Sequence, residues 1–452
     1  MKKLLIANRG EIAVRIIRSA KTLGISTVQV CSEADADSLC ARMADEVVII
    51  GTPPAQQSYL DQAAVLKAAR DTGADAIHPG YGFLSENADF AQAAADSGLI
   101  WVGPAASIIR TMGNKVAARA QAAKAGVPTL AGSDGPLDVD ADPLARAEEI
   151  GFPLMIKASA GGGGRGIRLV EEAGDFLSAL DVTRAEARAG FGDDTVYLER
   201  FVRQARHVEV QILADGERAV HLGDRDCSMQ RRSQKVLEEA PAPHLPDHVR
   251  QTIAETSVAL AEQCGYSSAG TVEFLYDPQR EEAAFIEMNT RLQVEHPVTE
   301  EITGIDIVAQ QLMIASGEPL SMVQSDVALT GHAFEVRINA EDPSNGFFPS
   351  PGEISALKWP AGETIRVDTG VEEGDMVAPF YDSMVAKLIV SGADRDEALS
   401  RLSQALEETE IGGITTTLDM HRLLASHQAL SEAAHHTKFI ENSGLLNELE
   451  KA

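Results

Sequence analysis

The first 31 residues alternate strand and helix patterns, and this order restricts the fold more than any other feature of the chain. Apolar runs at residues 3–7 and 27–31 predict buried strands, and residues 11–23 have helical periodicity with Gly24 as the stop. A strand–helix–strand unit of this kind begins a parallel α/β sheet. Its first turn, Asn8-Arg9-Gly10-Glu11, lacks the glycines of a dinucleotide-binding turn. We therefore expect an N-terminal α/β domain without a dinucleotide site there.

A polar alternation marks the segment Glu287-Met-Asn-Thr-Arg-Leu-Gln-Val-Glu295. In a strand, residues two apart share a face, so this segment predicts one wholly polar face. That face carries two carboxylates, two amides and a guanidinium but no lysine, which favours binding of a metal ion and an anionic reactant. A half-solvated edge strand is the alternative, because periodicity does not distinguish a solvated face from a site.

The residues before this segment predict a hairpin that brings two glutamates together. Residues 271–276 and 283–288 have strand patterns on either side of the turn signal Asp277-Pro278. A register symmetric about residue 280 puts Glu273 opposite Glu287, with Cβ atoms about 5 Å apart, where like charges repel. A Mg²⁺ ion would neutralise them, with Asn289 as a further oxygen ligand. The chain must then turn near Thr290, because a straight strand would hold Glu287 and Glu295 about 26 Å apart.

Composition limits the class of protein. The 452 residues, 44% apolar and 24% charged, are enough for two or three globular domains. The 39 basic and 68 acidic residues give a net charge of −29, which disfavours nucleic acid or an anionic membrane as a partner. Four cysteines without metal-ligand spacing indicate reduced thiols and a cytoplasmic location. Polar residues from Asn8 onward interrupt the first apolar run, so we expect neither an export signal nor a membrane span.

A glycine cluster separates two further strand patterns. Residues 154–158 and 167–170 flank Gly161-Gly-Gly-Gly-Arg165-Gly166. A strand follows the cluster where a dinucleotide-binding turn would need a helix, and no Lys-Ser/Thr pair follows as in a Walker A loop. The pattern predicts a hairpin whose tip can lie over a triphosphate and donate backbone N–H groups. A flexible linker is the alternative.

Four other features are less specific when each is taken alone. The turn-rich segment 78–87 is either a functional loop or a structural turn. Lys115 begins an alanine-rich helix and is typical of a surface lysine. The basic cluster 224–235 is either part of a site or a solvated loop. His207 is typical of a core or surface histidine.

Several motifs occur in an order that resembles one family over nearly the whole chain. They are Ile-Ala-Asn-Arg-Gly-Glu-Ile-Ala, His-Pro-Gly-Tyr-Gly-Phe-Leu-Ser-Glu-Asn, Lys-Ala-Ser-Ala-Gly-Gly-Gly-Gly-Arg-Gly, Arg-Asp-Cys-Ser-Met-Gln-Arg-Arg, Glu-Met-Asn-Thr-Arg-Leu-Gln-Val-Glu-His-Pro-Val-Thr-Glu, Phe-Pro-Ser-Pro-Gly and Tyr-Asp-Ser-Met. The chain resembles the biotin carboxylases, which are ATP-grasp enzymes. The resemblance implies a Rossmann-like α/β domain at residues 1–112, an ATP-grasp domain at 113–330 with a mobile lid at about 132–203, and an α+β C-terminal domain at 331–452.

The resemblance also implies roles for individual residues. ATP contacts are expected at Lys115, Lys157, Gly163, Gly164, Glu199, Arg200, Val202, His207, Gln230, Ser233, Glu273 and Glu287. Mg²⁺ or Mn²⁺ ligands are expected at Glu273, Glu287 and Asn289, and bicarbonate contacts at Lys235, Arg291, Gln293 and the backbone of Val294. Glu295 matches the general base of the family, Arg337 the residue that steadies the biotin enolate, and Tyr81 a biotin contact. The chain departs from the family at Ser233, where many members have histidine, and at Ala160, which replaces a lid glycine.

The activity implied is carboxylation of biotin by bicarbonate and MgATP, as the first half-reaction of acetyl-CoA or other acyl-CoA carboxylation. The biotin would be borne by a separate carrier protein, and carboxyltransferase subunits and a homodimer are the other expected assemblies. One alternative is another bicarbonate-using ATP-grasp ligase that acts on a small amine. A second alternative is an inactive subunit that binds only ATP and a carrier.

Overall fold

The computed structural model describes residues 1–133, 135–138, 141–158, 167–191 and 193–449. The N-terminal region is a five-stranded parallel sheet with strand order β3-β2-β1-β4-β5. Its strands and helices are β1 (Lys3–Ile6), α1 (Gly10–Thr22), β2 (Ser26–Ser32), α2 (Leu39–Met43), β3 (Glu46–Gly51), α3 (Gln62–Thr72), β4 (Ala76–His78), α4 (Ala88–Asp96), β5 (Ile100–Trp101) and α5 (Ala106–Met112).

The predicted strand–helix–strand start is confirmed. Strands β1 and β2 pair in parallel, with Leu5 beside Val28. Helix α1 ends before Gly24, whose φ of +70° is the left-handed conformation that glycine adopts after a helix. The strands are buried on both faces, which explains why their sequences are continuous apolar runs rather than alternating ones.

A small antiparallel sheet with order β7-β6-β8 lies in the region predicted to be the lid. The elements here are α6 (Lys115–Lys124), α7 (Pro143–Ile150), β6 (Leu154–Ala158), β7 (Ile167–Val170), α8 (Phe176–Phe191) and β8 (Val196–Arg200). The antiparallel pairing of β6 with β7 confirms the predicted hairpin. The glycine tip of this hairpin lies outside the described residues.

An eight-stranded antiparallel sheet forms the centre of the molecule, with order β13-β12-β9-β10-β11-β14-β21-β19. The elements of its first part are β9 (Arg206–Asp215), β10 (Ala219–Arg231), β11 (Gln234–Ala240), α9 (Asp247–Gln263), β12 (Ser267–Asp277), β13 (Glu282–Asn289), α10 (His296–Thr303) and α11 (Ile307–Ala315). The sheet continues without a break into the C-terminal region, because β11 pairs with β14.

The C-terminal region adds strands to this sheet and packs helices on it. Its elements are β14 (His332–Asn339), β15 (Glu341–Asp342), β16 (Phe348–Pro349), β17 (Gly352–Glu353), β18 (Ala356–Lys358), β19 (Ile365–Thr369), β20 (Met376–Val377), β21 (Met384–Gly392), α12 (Arg395–Glu408), β22 (Glu410–Gly412), α13 (Leu418–Ser426), α14 (Gln428–Ser431), α15 (Phe439–Ser443) and α16 (Leu446–Leu449). Leu402 and Leu406 of α12 pack on Phe334 and Leu388 in one apolar core.

The N-terminal region packs directly on the other two. Ile16 and Ile17 of α1 share an apolar core with Leu312 of α11. The backbone at Gly370, after β19, lies so close to the start of α1 that a Cβ atom there would be 2.7 Å from the amide nitrogen of Glu11. No helix among the described residues combines the length and apolar character that crossing a membrane requires.

Candidate active site

One cavity of about 850 Å³ lies where the N-terminal region, the central sheet and the C-terminal region meet. The structure places in its wall most of the side chains that the sequence predicted to be functional. These residues are Tyr81, His207, Gln230, Ser233, Lys235, Glu273, Glu287, Asn289, Arg291, Gln293, Val294, Glu295 and Arg337. Residues far apart in the chain therefore share one enclosed space.

Other predicted nucleotide contacts lie outside this wall. Lys157 and Glu199, on the paired strands β6 and β8, form an ion pair with each other. Arg200 Nη1 lies 2.5 Å from Glu282 at the start of β13. Val202 and the exposed Lys115 also do not line the cavity. Gly163, Gly164 and Ala160 lie outside the described residues, and the nucleotide roles of all these positions remain predictions.

The two predicted metal-binding glutamates face each other across a pair of strands. Glu273 of β12 is the cross-strand partner of Glu287 in β13, as the symmetric register predicted. The register shifts by one residue just beyond this pair, which leaves Ile286 as an extra, 41% exposed residue. Burial first, and then the charge of Glu273, raise the pKa of Glu287. Two opposed carboxylates therefore occupy a place where a cation would relieve their repulsion.

The donor set at this pair fits a hard divalent cation. Glu273, Glu287 and the side-chain oxygen of Asn289 supply only oxygen ligands, which Mg²⁺ and Mn²⁺ prefer. Protein groups also contact two of these ligands: Lys235 and Gln293 each lie 3.0 Å from Glu273 Oε1. Arg291 Nη2 donates to Asn289 Oδ1 at 3.0 Å. The three side chains therefore have the chemistry of a magnesium or manganese site, and this role stays a prediction.

The strand that carries the polar alternation ends where the sequence predicted a turn. Strand β13 stops at Asn289, and the turn of residues 290–295 leads into α10 at His296. β13 is indeed an edge strand. The polar segment is nevertheless not a solvated face, because Asn289 at the end of β13 and Gln293 in the turn are buried, and Glu295 is fully buried. The solvated-edge alternative is therefore wrong.

Glu295 lies between two cations in this turn. Lys235 Nζ is 2.5 Å from its Oε1 atom, and Arg337 Nη2 is 2.9 Å from its Oε2 atom. Burial alone would raise the pKa of Glu295, but the charge of Lys235, with Arg337, lowers it below the ordinary value. The carboxylate is therefore ionised at neutral pH and can accept a proton.

Lys235 connects this carboxylate to the metal-binding pair. Besides Glu295, its Nζ atom contacts Glu209 at 2.7 Å and Glu273 at 3.0 Å. Burial disfavours the charged lysine, but the acidic groups around it outweigh burial and raise its pKa well above the ordinary value. A positive charge thus lies between Glu295 and Glu273, the predicted base and one of the predicted metal ligands, where an anionic reactant could be held.

His207 is part of the same network rather than an isolated histidine. Its Nε2 atom lies 3.2 Å from Glu273, and Nδ1 lies 3.1 Å from the side-chain nitrogen of Gln230. Burial and Lys235 lower its pKa, but Glu273 and Glu209 outweigh them and raise it to about 9. His207 therefore carries a positive charge beside a predicted metal ligand.

Two loops complete the wall. Arg291 donates to Gln293 at 2.7 Å and to Glu86, in the loop after β4, at 2.9 Å. Tyr81, in that same loop, lines the cavity and donates its hydroxyl to Glu11 in the first turn of α1. The turn-rich segment 78–87 thus contributes side chains to the site.

The basic cluster at residues 224–235 is not a solvated loop. Strand β10 runs through residue 231 and β11 begins at 234, so only a two-residue turn joins them. Arg225 is fully buried and donates to Glu209 at 2.6 Å and to Gln211 at 2.8 Å. The solvated-loop alternative is wrong because this segment is an inner strand of the sheet.

Sequence reasoning missed five residues that support the site. Glu209 pairs with Lys235, and Glu238 accepts from Arg337 Nε at 2.6 Å. The thiol of Cys227 lies 3.8 Å from the carboxylate of Glu295. Glu11 and Lys387 are the other two: Glu11 lines the cavity and pairs with Lys387, which lies outside the wall and donates to the carbonyl oxygen of Val294. The sequence could have pointed to Lys387, because it is the one charged residue in the apolar run Met-Val-Ala-Lys-Leu-Ile-Val, where a buried lysine needs a partner.

An antiparallel central sheet, a separate small sheet, and a cavity with opposed carboxylates beside buried cations are the features expected of an ATP-grasp ligase, and the comparisons with known proteins show this class. Family models match three consecutive parts of the chain: "Biotin carboxylase, N-terminal domain" at residues 1–109, "Carbamoyl-phosphate synthase L chain, ATP binding domain" at 114–323, and "Biotin carboxylase C-terminal domain" at 335–442. The chain belongs to the biotin carboxylase family.

Similar proteins cover nearly the whole chain. Biotin carboxylase of Pseudomonas aeruginosa is 52% identical over 443 residues, which is 98% of both chains. The biotin carboxylase domain of a thermophilic 2-oxoglutarate carboxylase bound to ADP has a TM-score of 0.95 at 42% identity and covers 98% of this chain and 99% of its own. The corresponding Hydrogenobacter thermophilus domain, a dimer in complex with MgADP, ADP and bicarbonate, has a TM-score of 0.84 at 42% identity and covers 98% of each chain. These likenesses confirm the predicted family, fold class and ATP-dependent ligase chemistry.

Proposed function

We propose that this chain carboxylates biotin carried by a separate protein, with bicarbonate and MgATP as substrates and carboxyphosphate as intermediate. The product would serve the carboxylation of acetyl-CoA or another acyl-CoA. The observation that carries the proposal is the position of Glu295, an ionised carboxylate held by Lys235 and Arg337 in the same cavity as Glu273 and Glu287. A base, an anion site and a metal site are thereby within one enclosed space.

The first step is transfer of a phosphoryl group. Lys235, Arg291 and the turn at Gln293 and Val294 hold bicarbonate, and Glu295 removes its proton. The bicarbonate oxygen then attacks the γ-phosphorus of ATP, which gives carboxyphosphate and ADP. Glu273, Glu287 and Asn289 would hold Mg²⁺ or Mn²⁺, which neutralises phosphate charge when it is bound with ATP. The buried cations stabilise negative charge in this step without needing to reorient.

The second step is transfer of the carboxyl group. Carboxyphosphate releases CO₂ and phosphate, and the phosphate takes the ureido proton of biotin. The resulting enolate captures CO₂ at N1, with Arg337 donating to the enolate oxygen and Tyr81 forming part of the biotin wall. The lid of residues 132–203 would exclude water from the labile intermediate when it closes.

The proposed partners follow from the same chemistry. The 452 residues contain no Met-Lys-Met sequence of the kind that receives biotin. As partners we propose a biotinylated carrier protein, carboxyltransferase subunits and a second copy of this chain, in the cytoplasm, as the family resemblance implies. The purified chain should give no band on a streptavidin blot, whereas a stoichiometric band would show that it carries its own biotin and needs no separate carrier.

The activity is tested by steady-state ATP cleavage with bicarbonate and free biotin added separately and together. We expect release of ADP only when both are present with Mg²⁺. Cleavage that needs bicarbonate and a small amine, but not biotin, would favour the other class of bicarbonate-using ligase. ATP binding without any cleavage would indicate an inactive subunit.

A further inference from the structure

Lys387 is a buried lysine that contacts three parts of the molecule. From β21 its Nζ atom donates to the carbonyl oxygen of Val294 at 2.8 Å. The same atom lies 3.3 Å from Glu11 Oε2 in α1 and 4.0 Å from Asp368 in β19. Its side chain has no exposed surface. Because a buried ammonium is unfavourable unless it is paired, an apolar residue would serve packing better at this position.

Glu11 holds the other side of this lysine. One carboxylate oxygen of Glu11 accepts from the Tyr81 hydroxyl, and the other faces Lys387. The close approach of the Gly370 backbone to the start of α1 keeps Glu11 against the C-terminal region. Burial raises the pKa of Glu11 to about 7, although the charge of Lys387 opposes this, so the carboxylate is mainly ionised at pH 8.

Two anchors determine the orientation of the turn peptides. His296 Nδ1 lies 2.8 Å from the carbonyl oxygen of Gln293, and Lys387 binds the next carbonyl oxygen, that of Val294. In a trans peptide the N–H group points opposite to the C=O group. The N–H groups of Val294 and Glu295 therefore point away from these anchors. Gln293, Val294 and Glu295 all line the cavity.

We propose that Lys387, with Glu11 as its counter-ion, is a positioning residue that orients the Val294 peptide for bicarbonate binding. The inference rests on the proposed function, because it assigns the turn of residues 293–295 to bicarbonate. Lys387 does not line the cavity. Its loss should therefore affect bicarbonate through the orientation of this turn and leave ATP binding intact.

The test compares four variants with the wild-type chain at pH 8. Lys387→Met removes the charge and the donor, and Lys387→Arg keeps both. Glu11→Gln removes the counter-ion charge at a residue that also lines the cavity and accepts from Tyr81. Arg395→Met is the matched control, because Arg395 also pairs with a buried carboxylate, Glu239 at 2.7 Å, but contacts no residue of the turn. KM values for bicarbonate and for ATP are measured separately, with circular dichroism to confirm folding.

We expect Lys387→Met to raise the KM for bicarbonate on the order of 10- to 100-fold, the scale of a lost hydrogen bond to a charged group, without changing the KM for ATP. Lys387→Arg should recover part of this loss, Glu11→Gln should show a smaller change in the same direction, and Arg395→Met should show none. A folded Lys387→Met enzyme with a wild-type KM for bicarbonate, or with both KM values raised alike, would overturn the proposal.

If Lys387→Met does not fold, Glu11→Gln decides the question, and an unchanged KM for bicarbonate in that variant rejects the positioning role. If the wild-type protein shows no bicarbonate-dependent ATP cleavage, the proposed function itself is rejected, independently of the results for the variants. The two failures are therefore distinguishable.

Discussion

Arg337 and Glu295 form an ion pair at 2.9 Å although they are 42 positions apart in the chain. Arg337 is the residue expected to steady the biotin enolate, and Glu295 is the expected base for bicarbonate. Their contact means that the two reactants would meet at neighbouring positions in the cavity. It also means that Arg337 stabilises the ionised form of the base before biotin arrives.

Glu295→Gln should bind MgATP normally but lose bicarbonate-dependent ATP cleavage by a factor of roughly 10² to 10⁴, the usual scale for a general base. Glutamine keeps the shape of the side chain but cannot take a proton. Glu301→Gln, in the next helix and outside the cavity wall, is the control and should remain active. Near-normal turnover would eliminate Glu295 as the base, and lost nucleotide binding would show that its role is structural.

Glu287→Gln should abolish most Mg²⁺-dependent activity while folding stability is unchanged or increased. The substitution removes one ligand charge and relieves the repulsion from Glu273 across the strand pair. Activity is measured against Mg²⁺ concentration and stability by thermal unfolding. Glu281→Gln, in the exposed turn just before the same strand, is the matched control. Loss of the fold with intact metal-dependent activity would contradict the assignment.

Ser233→His should lower the KM for ATP and leave kcat nearly unchanged. Ser233 lies in the exposed turn between β10 and β11 at a φ of +65°, a conformation that histidine tolerates better than most bulky residues. An added contact that is equal in ground and transition states changes KM alone. Steady-state kinetics with varied ATP measure both constants, and a large change in kcat at constant KM would be inconsistent with a nucleotide contact.

His421→Gln should make the free energy of unfolding decrease less as the pH falls from about 6.5 to about 4. Burial lowers the pKa of His421 to about 4, and its Nε2 atom lies 2.7 Å from the carbonyl oxygen of Arg337. The pKa of His421 is therefore lower in the folded protein than in the unfolded chain. Its contribution to the free energy of unfolding is complete above about pH 6.5 and is lost as the pH falls through 4, by at most about 3 kcal/mol.

The free energy of unfolding of the wild-type and His421→Gln proteins, measured by urea denaturation across this range, checks the prediction. Other buried groups also titrate in this range. Glu11 changes the free energy of unfolding in the opposite direction, because its pKa is raised in the folded protein. Those contributions are the same in both proteins, so the difference between the two free energies of unfolding reports His421 alone. Parallel curves would show that His421 does not titrate with unfolding.

Local sequence patterns were sufficient for the elements that meet in the site. The hairpin of β12 and β13, the pairing of Glu273 with Glu287 and the turn after Asn289 all follow from alternation and turn signals within about 25 residues. The same kind of pattern left residues 224–235 undecided between a site and a solvated loop, because a dense run of charged residues is also typical of a solvated loop. Arg225 and Asp226 are instead buried, each with an oppositely charged partner from β9.

The sequence by itself thus determined strands β1, β2, β6, β7, β12 and β13, the polar character of the segment 287–295, and, through its ordered motifs, the family. Only the tertiary structure decided which charges neutralise each other: Lys235 with Glu209 and Glu295, Arg337 with Glu238, and Lys387 with Glu11 and the Val294 carbonyl. The physical reason is that periodicity records the environment of a residue within its own element. The partner of a buried charge depends instead on which strands the folded sheet places side by side.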